Sequence, residues 1–266
     1  MTDAVKPLFS ILCASYNRAD KLPRAIDSIL AQSFINWELL IIDDGSQDDT
    51  EQVVHPYLSD NRISYQKLQQ NAGVGAARNH GLRSAKGTWI VLLDSDNAFL
   101  PDALQIMANA ITSHPNIVMH KFAVKSFDGK MMGEMPPQAL TIHAKDYLTG
   151  SIKGEHHTLT KKDVLQNYPF FEKFSGGEAI LWSQIALSHT HLTYHPSITQ
   201  LYETDGEDRL SVKSKNYTRL AKVFGADITL LWKSYLRYAP LQLIMRLIKF
   251  ICYTLASHLP MRWFGR

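Results

Sequence analysis

The stretch WIVLLDSDN, residues 89–97, is an apolar run that stops on two carboxylates. Asp94 and Asp96 are separated by one residue, and in a strand residues two apart point to the same side of the chain. The spacing can therefore direct both acids at one point in space. A cation fits there, because Mg²⁺ in proteins commonly uses one or two carboxylates together with water and substrate phosphates.

Other apolar runs in the first half of the chain also end in polar loops. They are LFSILCAS (residues 8–15) and WELLIIDDGS (37–46), with a shorter strand candidate, RISYQKL, at 62–68. Helical spacing separates these runs, at Leu22, Ala25, Ile26, Ile29 and Leu30, in TEQVVHPYL (50–58) and in residues 73–87. The resulting β-α-β-α-β-α-β order predicts an α/β fold with a mostly parallel central sheet and helices on both faces.

Such sheets bind ligands beyond the carboxyl ends of their strands. The polar residues that follow the predicted strands should therefore lie along one edge. They are Ser15, Tyr16 and Asn17 after the first strand, Asp43 and Asp44 after the second, and Asp94 and Asp96 after the fourth. Asp, Gly and Ser also end strands in ordinary turns, but two adjacent acids repel each other and a turn needs only one.

Composition indicates the compartment and the kind of partner. The two cysteines, Cys13 and Cys252, form neither a disulfide framework nor a metal-ligand cluster, which favours a reducing compartment. The N-terminal residues MTDAVKPLFS have no apolar stretch after a basic start, so we expect a cytoplasmic protein. Residues 209–266 contain 11 lysines or arginines and one acid, whereas the rest contains 17 bases and 24 acids. This cationic tail predicts an anionic partner surface, for which nucleic acid and membrane lipid both qualify.

Four segments in colinear order resemble the inverting nucleotide-sugar glycosyltransferases of family 2, which have the GT-A fold. They are ASYNR (14–18), LLIIDDGSQDDT (39–50), NAGVGAARNHGLRSAKGTWIVLLDSDN (71–97) and GGEAILWSQIAL (176–187). The match covers roughly residues 8–211. It implies a Rossmann-like glycosyltransferase domain, residues 1–210, with a nucleotide-binding half (1–100) and an acceptor-binding half (101–210), followed by a C-terminal region (211–266).

The resemblance also implies a metal and donor site. From the DxD motif of the family, Asp96 binds Mn²⁺ or Mg²⁺ directly, while Asp94 faces the ribose and reaches the ion through water. Such an ion neutralises the charge that develops on a diphosphate leaving group. Asp44 is the candidate for the nucleobase, and Asp43 is structural. The alternative for the DxD acids is a solvated loop after a buried strand.

Further donor-binding residues follow from the same motifs. Tyr16 is placed to cover the base with its ring, and Arg18 and Arg78 are candidates for the diphosphate or a base edge. Arg78 lies where a glycine-containing loop enters a helix, a geometry that suits anions. Ser15 and Ser95 complete the set. The alternatives are an ordinary half-buried tyrosine and helix-surface salt bridges for the two arginines.

An inverting transfer needs a general base, and a carboxylate in a cleft is suitable. The family usually has Glu-Asp before a helix that contains a tryptophan. Aligning Trp182 with that tryptophan places Gly177 at the usual Glu and Glu178 at the usual Asp. Glu178 is therefore the predicted base, although an acid in the first turn of a helix is also favourable through the helix dipole alone.

The stretch 241–264 predicts an amphipathic helix. One face carries Gln242, Arg246, Lys249, Tyr253 and Ser257, and the opposite face carries Leu243, Ile244, Leu247, Ile248, Ile251 and Leu255. The apolar run is shorter than the ~20 residues that a membrane span needs. We expect residues 211–266 to lie on an anionic membrane surface, with basic residues reaching the lipid headgroups. A core-covering or dimerising helix is the alternative.

Together these features predict a metal-dependent inverting glycosyltransferase, peripheral on the cytoplasmic face of the inner membrane. Its donor is a nucleotide sugar, with UDP favoured, and its acceptor is a lipid-linked saccharide in bacterial surface-polysaccharide assembly. No nucleic-acid partner is expected. The acceptor rests on analogy with the family. Two alternatives stay open: a catalytically silent scaffold, since Gly177 replaces the usual Glu, and a haloacid-dehalogenase-type phosphatase, whose DxD normally follows the first strand.

Overall fold

The strands form one hydrogen-bonded sheet in the computed structural model, which describes residues 6–150, 152–204 and 216–258. Within these residues the strands are β1 (Phe9–Ser15), β2 (Trp37–Asp43), β3 (Ile63–Lys67), β4 (Trp89–Leu92), β5 (Ala98–Phe99), β6 (Met119–Ser126), β7 (Leu140–His143), β8 (His156–Lys161) and β9 (His191–Tyr202). The helices are α1 (Leu22–Leu30), α2 (Thr50–Val54), α3 (Val74–Ser84), α4 (Ala103–Ser113), α5 (Ala144–Thr149), α6 (Lys162–Leu165), α7 (Glu178–His189), α8 (Tyr217–Tyr238) and α9 (Pro240–His258). A 3₁₀ helix, His55–Ser59, follows α2.

The first four strands lie in the order β3-β2-β1-β4 and pair in parallel. A helix connects each strand to the next, which is the β-α-β order that the sequence predicts. The register of β1 on β2 places Ser15 beside Asp43, so both strands end at the same level. The polar residues that follow these strands consequently begin at one edge of the sheet.

The second half of the sheet mixes strand directions. Strand β8 runs antiparallel to both β4 and β6, β9 is parallel to β6, and the short strands β5 and β7 are antiparallel to β9. The pairing of β4 with β8 makes the sheet continuous across the predicted division at residue 100. The predicted boundary between residues 210 and 211 lies outside the described residues, so this domain division remains a prediction.

Helices cover both faces of the parallel half. Along β1, Ile11 and Cys13 point into a core formed with α1, α2 and α4. Leu12 points to the other face, into a core formed with α3, α6 and α7. Burial on both faces explains why β1 and β2 are apolar along most of their length instead of alternating with polar residues.

Helices α8 and α9 form a hairpin beside this second face. Leu231 and Tyr235 of α8 are buried against Leu148 of α5 and Ile180 of α7. Helix α9 contacts α8 and has no buried residue of its own. Within the described ranges, none of the helices combines the length and the apolar character that crossing a membrane requires.

The orientation of α9 differs from the prediction in one respect. Arg246 was expected to reach lipid headgroups, but its Nε lies 2.6 Å from Oδ2 of Asp227 on α8. The hydroxyl of Tyr235 donates to the other oxygen of Asp227 at 3.0 Å. A buried acid needs a charged or hydrogen-bonding partner, and Arg246 supplies it. The polar side of α9 therefore faces α8, and its apolar side faces outward.

Three histidines are buried in the second half of the sheet. His120 Nδ1 and His195 Nε2 are 3.1 Å apart, and His157 contacts the Thr199 hydroxyl at 2.9 Å and the Leu92 carbonyl at 3.1 Å. Burial lowers the pKa of His120 to about 3 and the pKa values of His157 and His195 to about 4. These side chains are therefore neutral in the folded protein at neutral pH.

This burial predicts acid sensitivity. The unfolded chain binds a proton at each histidine below about pH 6.5, whereas the folded protein does not until about pH 4. The free energy of unfolding should thus fall by about 1.4 kcal/mol per pH unit for each such histidine as pH drops through this window. Urea unfolding at a series of pH values measures the slope. His157→Gln should make the slope shallower and the exposed-site control His55→Gln should leave it unchanged; equal slopes in all three proteins would contradict the assignment.

Candidate active site

Hydrogen bonds join the loops that follow β1 and β2. The backbone N–H of Asn17 donates to Ser46 Oγ and the backbone N–H of Gln47 donates to Asn17 Oδ1, both at 2.8 Å. Asn17 has φ +52°, a left-handed conformation that asparagine adopts more readily than most residues. The first loop is thereby held against the second at the carboxyl edge of the sheet.

The two acids at the end of β2 have different partners. Asp43 accepts the Ser46 N–H at 2.8 Å and the Tyr65 hydroxyl at 2.5 Å, which is the structural role predicted for it. Asp44 accepts the backbone N–H groups of Ala72 and Gly73 at 2.8 and 2.7 Å, so it ties β2 to the loop before α3. Each oxygen of a carboxylate has two acceptor sites. A base contact by Asp44 is compatible with these bonds and remains a prediction.

Asp94 and Asp96 lie in a turn, because β4 ends at Leu92. The expectation that strand alternation aligns them is wrong: the N–H of Asn97 donates to the Asp94 carbonyl at 2.9 Å and closes a turn instead. The turn still leaves the two carboxylates close enough to interact electrostatically. Burial and the negative charge of Asp94 raise the pKa of Asp96.

The surroundings of Asp96 suit a cation. Arg24 of α1 donates through Nη2 to the Asp96 backbone carbonyl and, at 2.8 Å, to Glu203. Among the described residues no side chain donates a hydrogen bond to the Asp96 carboxylate, and a cation would offset the repulsion from Asp94. No three His, Cys, Asp or Glu side chains of the described residues form a complete metal cage. The carboxylates of Asp94 and Asp96 would suit Mg²⁺ or Mn²⁺, which would take further ligands from water and substrate phosphates.

Arg78 on α3 joins the predicted donor site to the predicted base. Its Nη2 donates to Asp94 Oδ1 and its Nη1 donates to Glu178 Oε1, both at 2.7 Å. Burial disfavours its charge, but the two carboxylates outweigh that effect and raise the pKa of Arg78. Arg78 thus forms salt bridges, as in the alternative given above for the two arginines. They connect a buried guanidinium to the partly exposed side chains of two functional candidates instead of lying on a helix surface.

Glu178 is the first residue of α7, and the glycine before it has a structural cause. A Cβ on Gly177 would lie 2.5 Å from Phe171 and 2.9 Å from Phe174, and contacts that short do not occur for real side chains. The two phenylalanine rings stack with their centroids 5.0 Å apart. Aromatic packing therefore occupies the place of the usual Glu, while Glu178 keeps its position beside Arg78.

The remaining predicted residues border the same edge. Ser15 is buried, and its hydroxyl has no hydrogen-bond partner within the described part of the chain. Ser95 is also buried, between the two acids, and Tyr16 is 41% exposed. Arg18 donates to the neighbouring carbonyl of Asn17 at 3.2 Å, and its charge acts on Asp96. The donor-binding roles of these four residues remain predictions.

Sequence reasoning missed the residues that hold the turn at Asp94 and Asp96. The N–H of Glu203 donates to Asn97 Oδ1 at 2.9 Å, and Arg24 bonds both Glu203 and the Asp96 carbonyl. The turn is thereby attached to α1 and to the end of β9. Of these three residues, only Asn97 could have been noticed in the sequence, because it directly follows the two acids. Arg24 and Glu203 are distant in sequence, and the fold brings them to the turn.

The parallel half of the sheet leads into a paired-acid turn after its fourth strand, and a helix carboxylate lies across a buried arginine, an arrangement that agrees with the predicted GT-A class. Residues 10–168 match the family model described as Glycosyl transferase family 2. The chain belongs to this family and is a glycosyltransferase. The predicted resemblance and the α/β GT-A fold are confirmed, and the phosphatase alternative is excluded.

Named relatives and solved structures agree with this assignment. The chain is 31% identical over 238 residues to the GalNAc(5)-diNAcBac-PP-undecaprenol beta-1,3-glucosyltransferase of Campylobacter jejuni, covering 84% of this chain and 75% of that protein. It is 34% identical over 147 residues to the putative teichuronic acid biosynthesis glycosyltransferase TuaG of Bacillus subtilis, covering 54% of this chain and 56% of TuaG. The chain thus spans little more than half the length of the second protein.

The fold is shared with two glycosyltransferase structures. S. aureus TarS 1–349 in complex with UDP-GlcNAc superposes with a TM-score of 0.72 at 18% identity, covering 93% of this chain and 72% of that one. The mannosyltransferase PcManGT from Pyrobaculum calidifontis, in complex with GDP-Man and Mn²⁺, superposes with a TM-score of 0.61 at 18% identity, covering 96% and 77%. At these identities the likeness concerns the fold.

Proposed function

We propose that this glycosyltransferase moves a sugar from a nucleotide-sugar donor, with UDP favoured, to a hydroxyl group of a lipid-linked saccharide in bacterial surface-polysaccharide assembly. The observation that carries the proposal is the Arg78 bridge, because one guanidinium bonds both Asp94, the proposed donor-side acid, and Glu178, the proposed base. The name of the Campylobacter relative supports a lipid-linked acceptor. The UDP-GlcNAc complex of TarS supports the donor class.

In the proposed reaction Glu178 accepts the proton of the acceptor hydroxyl while the hydroxyl oxygen attacks the anomeric carbon. The bond from that carbon to the diphosphate breaks on the opposite face, so the configuration inverts and the nucleoside diphosphate leaves with the electron pair. Bound Mg²⁺ or Mn²⁺, held by Asp96 and Asp94, would neutralise charge on the diphosphate. Arg78 orients Glu178 through its 2.7 Å hydrogen bond before the acceptor binds.

The test is an incubation of sugar nucleotides, one at a time, with a membrane lipid extract of the source organism, followed by mass spectrometry of the glycolipids. One donor should add one sugar mass, and EDTA should abolish the product. A catalytically silent scaffold is the second candidate, favoured by the glycine at position 177. It would bind UDP with Mn²⁺ in a calorimetric titration, yet give no product with any donor.

The α8–α9 hairpin supports a location on the membrane. Of the 18 exposed large apolar side chains among the described residues, 11 lie between residues 230 and 255. A patch of this kind marks an interaction surface. The basic residues Lys233, Arg237 and Lys249 are exposed on the same hairpin and would attract anionic headgroups. We therefore place the enzyme on the cytoplasmic face of the inner membrane, with the apolar side of the hairpin in the lipid interface.

Ile248 provides the test of this location. It is 50% exposed on the outward side of α9, and removing the burial of one isoleucine costs about 1.5–3 kcal/mol. Ile248→Glu should therefore weaken binding to phosphatidylglycerol vesicles at least about tenfold in a sedimentation assay. Leu58→Glu, which adds the same charge at an exposed leucine remote from the hairpin, should bind like wild type. If both variants bind equally well, the hairpin is not the membrane contact.

A further inference from the structure

Arg24 of α1 connects the paired-acid turn, residues 94–97, to two strand ends in the second half of the sheet. Its Nη2 donates to the backbone carbonyl of Asp96 and, at 2.8 Å, to Oε2 of Glu203. Its guanidinium also stacks on the ring of Phe127, with Cζ 4.1 Å from the ring centroid. These three partners lie on separate segments of the chain. One side chain therefore joins four parts of the protein beside the proposed metal site.

The strand register explains why the partners of Arg24 meet at one place. Strands β6 and β9 are parallel neighbours, and their last residues, Ser126 and Tyr202, are paired. Phe127 and Glu203 directly follow these residues, so they leave the sheet side by side. On the other side of β9, the antiparallel pairing of β5 brings the paired-acid turn past the same strand end. The contacts of Arg24 thus follow from the pairing of the strands.

Glu203 holds the paired-acid turn at two points. Its backbone N–H donates to Oδ1 of the buried Asn97 at 2.9 Å, and its carboxylate accepts from Arg24. The peptide group between Asp96 and Asn97 is bonded on both sides, because Arg24 binds its carbonyl and its N–H donates to the Asp94 carbonyl at 2.9 Å. A peptide group is planar. Fixing this plane therefore restricts the direction in which the Asp96 side chain leaves the backbone.

The guanidinium of Arg24 binds the backbone of Asp96 and leaves its carboxylate free. An arginine on the carboxylate itself would compete with a metal ion for the same oxygens. The charge of Arg24 is offset by Glu203 at 2.8 Å, so the pair adds little net charge beside the metal site. The Phe127 ring covers one face of the guanidinium and favours its position there. These features suit a role in orienting the turn.

We propose that Arg24 and Glu203 are positioning residues for the donor metal. They act through the backbone of Asp96 and hold its carboxylate in the orientation that binds Mg²⁺ or Mn²⁺, and neither of the two side chains is itself a ligand. The inference rests on the proposed function, because it takes Asp96 as the metal ligand. Loss of the hydrogen-bonded groups that orient a metal ligand typically lowers metal affinity by about 10–100-fold.

The double variant Arg24→Met, Glu203→Gln tests the proposal, because it removes one positive and one negative charge together. Asp60→Asn, Arg62→Met is the matched control: Arg62 bonds Asp60 at 2.6 Å and stacks on Trp37 at 3.9 Å, at the amino ends of β2 and β3. The electron paramagnetic resonance signal of free Mn²⁺ measures binding at saturating UDP. The Kd for Mn²⁺ should rise about tenfold or more in the test variant and stay at the wild-type value in the control. The Kd for UDP in EDTA should be the same in all three proteins.

The outcomes separate this inference from the proposed function. Weaker Mn²⁺ binding in the test variant supports the positioning role even if no donor gives transfer and the proposed function fails. Equal or tighter Mn²⁺ binding in the test variant would overturn the inference, whatever the transfer activity. A loss of UDP affinity in EDTA, together with a lower thermal midpoint, would overturn it in favour of a purely structural role. Wild type that binds no Mn²⁺ with either UDP or GDP would remove the metal site and the inference with it.

Discussion

Glu178→Gln is expected to lower kcat for sugar transfer by about 10²–10⁴-fold, the usual contribution of a general base. Glutamine has the same shape as glutamate and can still accept a hydrogen bond from Arg78 through its carbonyl oxygen. It cannot take a proton from the acceptor hydroxyl. The affinity for UDP should change little, because Asp94 retains its own bond to Arg78 at 2.7 Å.

Transfer rates at saturating donor and acceptor measure this effect, with a UDP titration beside them. Glu51→Gln is the matched control, because Glu51 is an exposed acid that pairs with Lys67 at 3.3 Å, and α2 and α7 lie on opposite faces of the sheet. The control should retain wild-type kcat. Full activity in Glu178→Gln would mean that another group takes the proton.

Asp96→Asn is expected to remove metal-dependent nucleotide binding and to reduce transfer by about 10²-fold or more. Loss of a metal that neutralises leaving-group charge costs several kcal/mol in the transition state, and about 1.4 kcal/mol corresponds to a factor of ten. Asparagine keeps the backbone carbonyl that Arg24 binds, so the turn should be preserved. Burial and the negative charge of Asp94 raise the pKa of Asp96, because they disfavour its charged form. A bound cation would offset this electrostatic cost, and the neutral amide of asparagine removes it.

Calorimetric titration with UDP, with and without Mn²⁺, separates the metal effect from folding. Wild type should bind UDP more tightly with Mn²⁺, and Asp96→Asn should bind equally weakly in both conditions. Asp102→Asn serves as the control because it changes an exposed acid that bonds only Ser33 among the described side chains. A variant at position 96 that keeps the Mn²⁺ effect would move the metal site elsewhere.

The two variants probe opposite ends of the site, because Glu178 bonds Arg78 directly and Asp96 lies two residues from Asp94, the other carboxylate that Arg78 bonds. Glu178 and Asp94 bind different nitrogens of the guanidinium, so weakening one bond leaves the other intact. We expect Glu178→Gln to affect the chemical step and Asp96→Asn to affect nucleotide binding first. If both variants changed only nucleotide affinity, the arginine bridge would be a structural element and not a link between the two halves of the site.

Local pattern was sufficient to predict the parallel half of the sheet. Apolar runs that end in acids, alternating with helical spacing, leave few topologies open, and the predicted strands at residues 8–15, 37–46, 62–68 and 89–97 contain the observed β1 to β4. The direction of these strands then places Ser15, Asp44 and Asp94 toward one edge. The end of β4 was misjudged, because the predicted strand continued past Leu92. Leu93 is apolar and its N–H still bonds the Leu12 carbonyl, but the chain enters a turn directly after it.

The orientation of α9 shows where a pattern is insufficient. Helical periodicity separated most polar from most apolar residues of α9, although Leu243, predicted on the apolar face, packs against the core beside α8. Periodicity does not say which face meets the protein. That choice depended on Asp227, a buried acid on α8 that required a charged partner, and Arg246 supplied it from across the hairpin. The apolar face was consequently left outward.

By itself, the sequence determined the class of fold, the acids at the carboxyl edge and the candidate base, because these depend on short-range spacing and chain order. The tertiary structure decided which groups meet. Arg78 contacts Asp94 and Glu178, sixteen and one hundred residues away along the chain, and the rings of Phe171 and Phe174 lie where a Cβ at position 177 would be. Such contacts arise from the packing of α3, α7 and the segment between them, and distances across a packed interface are not encoded in local periodicity.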